Sequence, residues 1–195
     1  MPEFVVEPVS IDVGHLVRRN LASLYSSLVT RPTGQAVRMA IENVLAEEMC
    51  PLCISVIDFS QVSVMDFSCA DEVVAKLLLR FLGDDRPRNV FFIFRGIREL
   101  HRDPMEVVLN RQSLAAVCET GSGSFEIVGA VSQDEAVLWR ALEGRGKMEP
   151  GELASLGAGS GVKEAMEALV RQRVAFRDPV TGGYQSLSAL LRHEA

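Results

Sequence analysis

The chain has 195 residues and a mass of 21.4 kDa, which fits one large domain or two small ones. Hydrophobic residues make up 48% and charged residues 24% of the sequence, and this composition excludes an intrinsically disordered chain. The net charge of −6 argues against nonspecific coating of nucleic acid or anionic membrane by the whole molecule. No apolar run approaches the ~20 residues that span a bilayer, and the first residues carry no leader pattern. We therefore expect a cytoplasmic protein with no membrane contact.

Strand and helix patterns alternate along the first two thirds of the chain. The predicted elements, in order, are a strand over 4–13, a helix after 34, a strand over 53–59, an extended segment over 61–65, a helix over 68–83, a strand over 89–94, a helix over 97–111 with a break at Pro104, and strands over 114–119 and 125–128. Alternation of this kind predicts an α/β domain with a mixed sheet and packed helices over residues 1–130.

The pattern changes after Gly129, which predicts a second domain over 131–195. The predicted elements are helices over 134–142, 152–156 and 160–171, then strands over 174–176 and 184–187 separated by turn residues. Helix, short helix, helix and β-hairpin in about 60 residues is the order of a winged helix-turn-helix. The C-terminal part is therefore similar to winged-helix (α+β) domains.

The cysteines offer one metal or redox interpretation. Cys50 and Cys53 form a CxxC pair, but a zinc site needs a second pair of ligands nearby, and the sequence has none. A redox pair would begin a helix, whereas Cys53 begins an apolar strand. We expect buried or incidental thiols, with no metal and no cofactor.

The segment 62–74 resembles the core motif of STAS domains, the fold of bacterial anti-sigma factor antagonists. The amino-acid sequence of this segment resembles most the STAS-like family of unknown function. In the STAS motif, an apolar strand that ends in aspartate leads to aspartate, serine, serine and glycine at a helix start. Asp58 matches the strand-end acid, Asp66 the motif acid and Ser68 the serine that an anti-sigma kinase phosphorylates, while Cys69 stands where the motif has glycine. The resemblance implies a partner that is kinase-like or belongs to a sigma pathway.

Ser68 has two interpretations. As a helix cap, its hydroxyl would accept hydrogen bonds from free N–H groups of the first turn, and Asp71, three residues further on, would complete a capping-box-like pair. This role would stabilise the fold by about 0.5–2 kcal/mol. As a phosphorylation site it would gain about −1.5 to −2 charge, which the helix N-terminus favours and the neighbouring carboxylates repel. With Ser68 as the phosphorylation candidate, the predicted partner surface consists of Asp58, Asp66, Phe67, Asp71 and Glu72.

The third C-terminal helix and the strand after it are locally basic, with four basic and two acidic residues between 160 and 177. In a winged helix the third helix enters the major groove and the wing contacts the backbone. The predicted DNA-binding residues, within the segment 160–184, are Ser160, Lys163, Arg171, Arg173 and Arg177. The alternative is a noncatalytic assembly protein whose winged helix serves protein contact or self-association.

An enzyme is the remaining alternative. Cys69 at a helix N-terminus would have a lowered pKa, and His101 would be its base. No pattern in the sequence brings the two side chains together, so we expect a regulatory or signalling protein without catalytic residues.

Overall fold

The computed structural model describes residues 6–13, 27–47, 52–83, 90–121, 123–155 and 160–192. Cys50 of the CxxC pair lies outside these residues, while Cys53 is buried in a strand. The described chain is a mixed α/β structure, which confirms the predicted class.

Five strands form the main sheet in the order β1-β3-β5-β6-β7. Their bounds are Val6–Asp12 for β1, Leu52–Asp58 for β3, Val90–Arg95 for β5, Ala115–Glu119 for β6 and Phe125–Gly129 for β7. The first four strands run parallel, and β7 pairs antiparallel with β6. A separate parallel pair joins β2, Ser27–Leu28, to β4, Val64–Met65. Parallel strands buried on both faces read as continuous apolar runs, which is why β3 and β5 are evident in the sequence.

Helices cover both faces of this sheet. In chain order they are α1, Arg31–Glu47; α2, Phe67–Ala70; a π-helical segment, Asp71–Lys76; α3, Leu77–Leu82; α4, Glu99–Arg111; α5, Gln133–Arg145; α6, Pro150–Ser155; α7, Ser160–Arg171; and α8, Leu187–Arg192. The expected break at Pro104 is wrong, because α4 continues through this proline.

Side chains along each central strand alternate between two hydrophobic clusters, as the period of a strand requires. In β5, Val90, Phe92 and Phe94 belong to the first cluster, which the helices α1 to α4 share. Phe91 and Ile93 belong to the second cluster, which contains the buried residues of α5 to α8. The first four helices and the last four therefore pack on opposite faces of one sheet.

The C-terminal segment also forms a small antiparallel sheet. Its strands are β8, Lys147–Met148; β9, Ala175–Arg177; and β10, Tyr184–Ser186, in the order β8-β10-β9. The buried Trp139 indole donates from Nε1 to the Val174 carbonyl at 3.0 Å, and Phe176 packs edge-on against Phe91 of the main sheet at 5.7 Å. The boundary near 130 stays a prediction, and the second cluster contains residues from both sides of it.

Candidate functional site

Asp66, rather than Ser68, caps the helix that begins the candidate site. Asp66 has extended backbone angles (φ −87°, ψ 171°), and its Oδ1 accepts the Cys69 N–H at 2.8 Å. Ser68 lies within the first turn, where its hydroxyl donates to Asp66 Oδ1 at 2.9 Å and Oδ2 at 3.1 Å. The interpretation of Ser68 as the helix cap is therefore wrong, because the helix begins one residue before Ser68 and Asp66 is its capping residue.

The hydroxyl of Ser68 remains near the surface. Ser68 is half-buried, and the side chain of Phe67 beside it is 49% exposed. Val64 on the neighbouring strand is also exposed. An exposed aromatic ring next to a hydroxyl that a carboxylate orients is an arrangement that a protein partner can contact.

Asp71 and Glu72 do not form an open acidic surface. Arg31 Nη1 lies 2.7 Å from Asp71 Oδ2 and 3.0 Å from Glu72 Oε1, and Lys76 pairs with both acids. Arg38 Nε contacts Glu72 Oε2 at 3.2 Å. This differs from the expectation, because the side chains of Asp71 and Glu72 are only 14% and 4% exposed and are neutralised within the chain.

The pKa values of both acids follow from this network. Burial alone would raise the pKa of Glu72, but the hydrogen bonds from Lys76, Arg31 and Arg38 outweigh burial and hold the pKa below its ordinary value. At Asp71, burial likewise raises the pKa, but the hydrogen bond from Arg31 and the charge of Lys76 outweigh burial. The pKa of Asp71 is therefore also below its ordinary value. Both side chains are therefore carboxylates at neutral pH.

Close approach of α1 to the start of α2 makes this network possible. A Cβ at Gly34 would lie 3.0 Å from both Cys69 Cα and Glu72 Cβ, so a side chain at this position would push the two helices apart. Glu72 lies in the π-helical segment, a geometry that often marks functional sites. The cations reach Glu72 from α1 and from the same helical segment.

Asp58 has a local structural partner. At the end of β3, its Oδ1 accepts the Ser60 N–H at 2.8 Å, which closes a turn after the strand. Asp58 is half-buried, so its predicted partner role remains a prediction.

A second feature lies at the carboxyl ends of β5 and β6, where a cleft of about 420 Å³ opens. Two arginines line it. Arg95 Nε pairs with Glu119 Oε2 at 2.5 Å, and Arg98 donates from Nη2 to the Ser60 carbonyl at 2.8 Å. Both cations are thus engaged with the chain itself.

Cys69 is not an activated nucleophile. Its thiol donates to the Thr30 carbonyl at 2.9 Å, and burial, followed by the charge of Asp66, raises the pKa of the thiol to about 12. His101 is also fully buried, and burial lowers its pKa. The thiolate required by the enzyme alternative is therefore disfavoured. No cluster of metal-ligating side chains occurs among the residues that the structure describes.

The predicted DNA-binding residues fall into two groups. Lys163 and Arg171 are exposed on α7. Arg173 donates from Nη1 to the Val90 carbonyl of the main sheet at 3.1 Å, and Arg177 pairs with Glu167 of α7 at 3.2 Å. Ser160 begins α7, but its side chain lies outside the described part. Of these four cations, only Lys163 and Arg171 have no hydrogen bond or ion pair with another described residue.

Sequence reasoning missed Arg31. It is the first residue of α1 and lies 40 residues before Asp71, and a pairing over that separation gives no local signal in the sequence. Only the folded chain brings it to the start of α2.

Comparison with known proteins gives no match among family models, curated proteins or solved structures. The class that the structure itself defines is an α/β protein with a mixed five-stranded sheet. None of the described helices combines the length and apolar content that crossing a bilayer requires.

Proposed function

We propose that this chain is a cytoplasmic regulatory protein that binds a protein partner through the start of α2. In this proposal, residues 1–130 form a STAS-like domain and phosphorylation of Ser68 controls the binding. The observation that carries the proposal is the half-exposed Phe67 side chain next to the half-buried Ser68, whose hydroxyl donates to Asp66. A phosphate at this position would place about two negative charges next to the apolar contact and weaken it.

Two measurements on the protein isolated from its native host test the proposal. Phosphopeptide mapping should find phosphate on Ser68, and the host partner, once identified by co-purification, should bind the purified chain in a titration. We expect Phe67→Ala to weaken this binding at least tenfold, because truncating a side chain that anchors an interface as a hot spot costs about 2 kcal/mol or more. Val137→Ala, which shortens another exposed apolar side chain on α5, is the matched control and should leave affinity unchanged.

The Ser68 variants complete the test. Ser68→Asp should weaken partner binding, whereas Ser68→Ala should preserve it. Equal affinities for Ser68→Asp, Ser68→Ala and the unmodified chain, together with absence of phosphate in the host, would leave Ser68 with a purely local structural role.

A second candidate function is DNA binding by a winged helix over 131–195. Its support is the order of α5, β8, α6, α7 and the β9–β10 hairpin, together with the exposed Lys163 and Arg171. A mobility-shift series at several salt concentrations should show binding that weakens in Lys163→Gln/Arg171→Gln but not in Arg80→Gln, a cation of α3. No shift at low salt would favour the assembly alternative, for which light scattering measures self-association.

A further inference from the structure

The beginning of α1 lies directly against the first turn of α2. Asp66 N–H donates to the Leu28 carbonyl at 2.9 Å, and the Cys69 thiol donates to the Thr30 carbonyl at 2.9 Å. These two contacts flank Ser68 in the sequence. The residue that follows Thr30 is Arg31, so its side chain projects from a backbone that the Thr30 carbonyl holds against Cys69, the neighbour of Ser68.

Arg31 already binds the helix face that carries Ser68. Its Nη1 contacts Asp71 Oδ2 at 2.7 Å and Glu72 Oε1 at 3.0 Å. Asp71 and Glu72 follow Ser68 by three and four residues, at the start of the π-helical segment that continues α2, so all three lie within about one helical turn. A phosphate on Ser68 would therefore stand about one helical turn from the present acceptors of Arg31.

Arg31 is also the cation whose removal leaves Asp71 and Glu72 with other ion-pair partners. Its side chain is 51% exposed, more than those of Lys76 at 41% and Arg38 at 17%. Without Arg31, Glu72 would keep Arg38 and Lys76, and Asp71 would keep Lys76 at 3.5 Å. Movement of this guanidinium leaves no buried carboxylate unpaired, so the usual cost of breaking a buried ion pair is avoided.

We propose that Arg31 is the receptor for the phosphate on Ser68, an inference that rests on the phosphorylation proposed above. In the transfer step, Ser68 Oγ attacks the γ-phosphorus of a nucleoside triphosphate supplied by the partner kinase. The Oγ–P bond forms as the bond between the γ-phosphorus and the bridging oxygen breaks, and the diphosphate leaves with that electron pair. The hydroxyl proton passes to the carboxylate of Asp66, which already accepts its hydrogen bond, and then to solvent.

Phosphorylation of Ser68 would do more than add negative charge at that residue, because it would also move Arg31. A guanidinium binds phosphate through two parallel N–H donors, so Arg31 would leave Asp71 for the stronger acceptor. The surface that faces the partner then carries a neutralised phosphate and a carboxylate of Asp71 that has lost its closest cation. Modification thus rearranges the charges around Phe67 rather than only repelling an acidic partner.

The test uses the full chain with phosphoserine introduced at position 68 by genetic-code expansion, so that it needs no kinase. Arg31→Gln is compared with Arg80→Gln, which removes another arginine of the same network, linked through Glu42 at 3.9 Å. Arg80 follows Ser68 by about 12 residues, roughly 18 Å along a helix, which puts it beyond reach of the phosphate.

The first readout is the second pKa of the phosphate, followed by phosphorus-31 NMR. Asp66, Asp71 and Glu72 raise this pKa, Lys76 lowers it, and these groups are the same in every variant. The buried His101 of α4, the helix packed against α2, is also unchanged. We expect Arg31→Gln to raise the phosphate pKa by about one unit, because an opposite charge in contact shifts a pKa by that order. Arg80→Gln should shift it by less than about 0.3 units.

The second readout is a double-mutant cycle in urea that combines serine or phosphoserine at 68 with arginine or glutamine at 31. We expect the phosphate and Arg31 to be coupled about fivefold in the unfolding equilibrium constant, and Arg31→Lys to restore part of this coupling. No such coupling is expected with Arg80→Gln.

The outcomes separate this inference from the function on which it rests. Equal phosphate pKa values in Arg31→Gln and Arg80→Gln would overturn the role of Arg31, even where the host protein carries phosphate on Ser68. A host protein without that phosphate would instead overturn the phosphorylation switch, whatever the phosphate of the synthetic phosphoprotein contacts.

Discussion

Replacing Glu72 with glutamine tests whether the ion network holds α1 against the start of α2. The side chain is 4% exposed and accepts from Arg31 at 3.0 Å, from Arg38 at 3.2 Å and from Lys76. Glutamine keeps the shape but removes the charge, so three cations lose their shared partner. Glu106→Gln is the matched control, because Glu106 pairs with Arg102 while both side chains are about 40% exposed or more.

The expected cost follows from burial. Removing one partner of a fully buried ion pair costs about 3–5 kcal/mol. Here Arg31 and Lys76 are 51% and 41% exposed, so they regain hydration when Glu72 is neutral. We therefore expect about 2 kcal/mol for Glu72→Gln and less than about 0.5 kcal/mol for Glu106→Gln.

Urea unfolding at pH 7 measures this difference. With a slope of about 2 kcal/mol per M, the midpoint of Glu72→Gln should fall by about 1 M without a change in slope. The pKa of Glu72 is lower in the folded than in the unfolded chain, so its stabilisation is complete above the unfolded pKa, about 4.3, and is lost as pH falls through the folded pKa. The difference in urea midpoint between Glu72→Gln and the unmodified chain should therefore be constant from pH 7 to pH 5 and should shrink below pH 5. Equal midpoints for Glu72→Gln and Glu106→Gln, or a gap that widens in acid, would refute this account.

Three further predictions test the packing around the site and behind the sheet. Gly34→Ala should lower the thermal midpoint, because overpacking by a Cβ 3.0 Å from Cys69 Cα costs about 1–3 kcal/mol against a helix gain of about 1 kcal/mol. Gly144→Ala, where nothing lies within 4 Å, should not lower it. The Cys69 thiol, with a pKa raised to about 12, should resist alkylation at pH 8 in the folded chain and react in urea. Trp139→Phe should cost about 1–3 kcal/mol in urea unfolding, because it leaves the buried Val174 carbonyl without its donor.

The main-sheet strands were predictable because burial on both faces gives continuous apolar runs such as Leu52–Asp58. The two-residue strand Lys147–Met148 and the helix Leu187–Arg192 were not predicted. A two-residue strand has no period, and its pairing with β10 depends on tertiary structure. Pro104 was expected to break its helix, but Met105 and Leu109 are buried in the core and hold the segment helical.

The helix start at the candidate site was predictable from the sequence, and its side-chain contacts were not. The motif places Ser68 at a helix start, but Asp66 is an equally good capping residue, and only the extended backbone of Asp66 decides between them. The acidic residues after Ser68, Asp71 and Glu72, were predicted to form part of an open partner surface. Their neutralisation depends on Arg31, whose partner Glu72 lies 41 residues further along the chain, and a pairing over that distance is set by the fold.

The charges of the C-terminal unit decide which proposed function has the stronger physical support. Each phosphate neutralised on duplex DNA contributes about −0.9 to the slope of log affinity against log salt. Arg173 is held by the main sheet and Arg177 by Glu167, so Lys163 and Arg171 remain as the α7 candidates, with an expected slope of about −1.8. Proteins that bind DNA tightly make several times as many phosphate contacts. Partner binding at Phe67 needs no comparable number of cations, because a half-exposed aromatic side chain can anchor an interface through apolar contact.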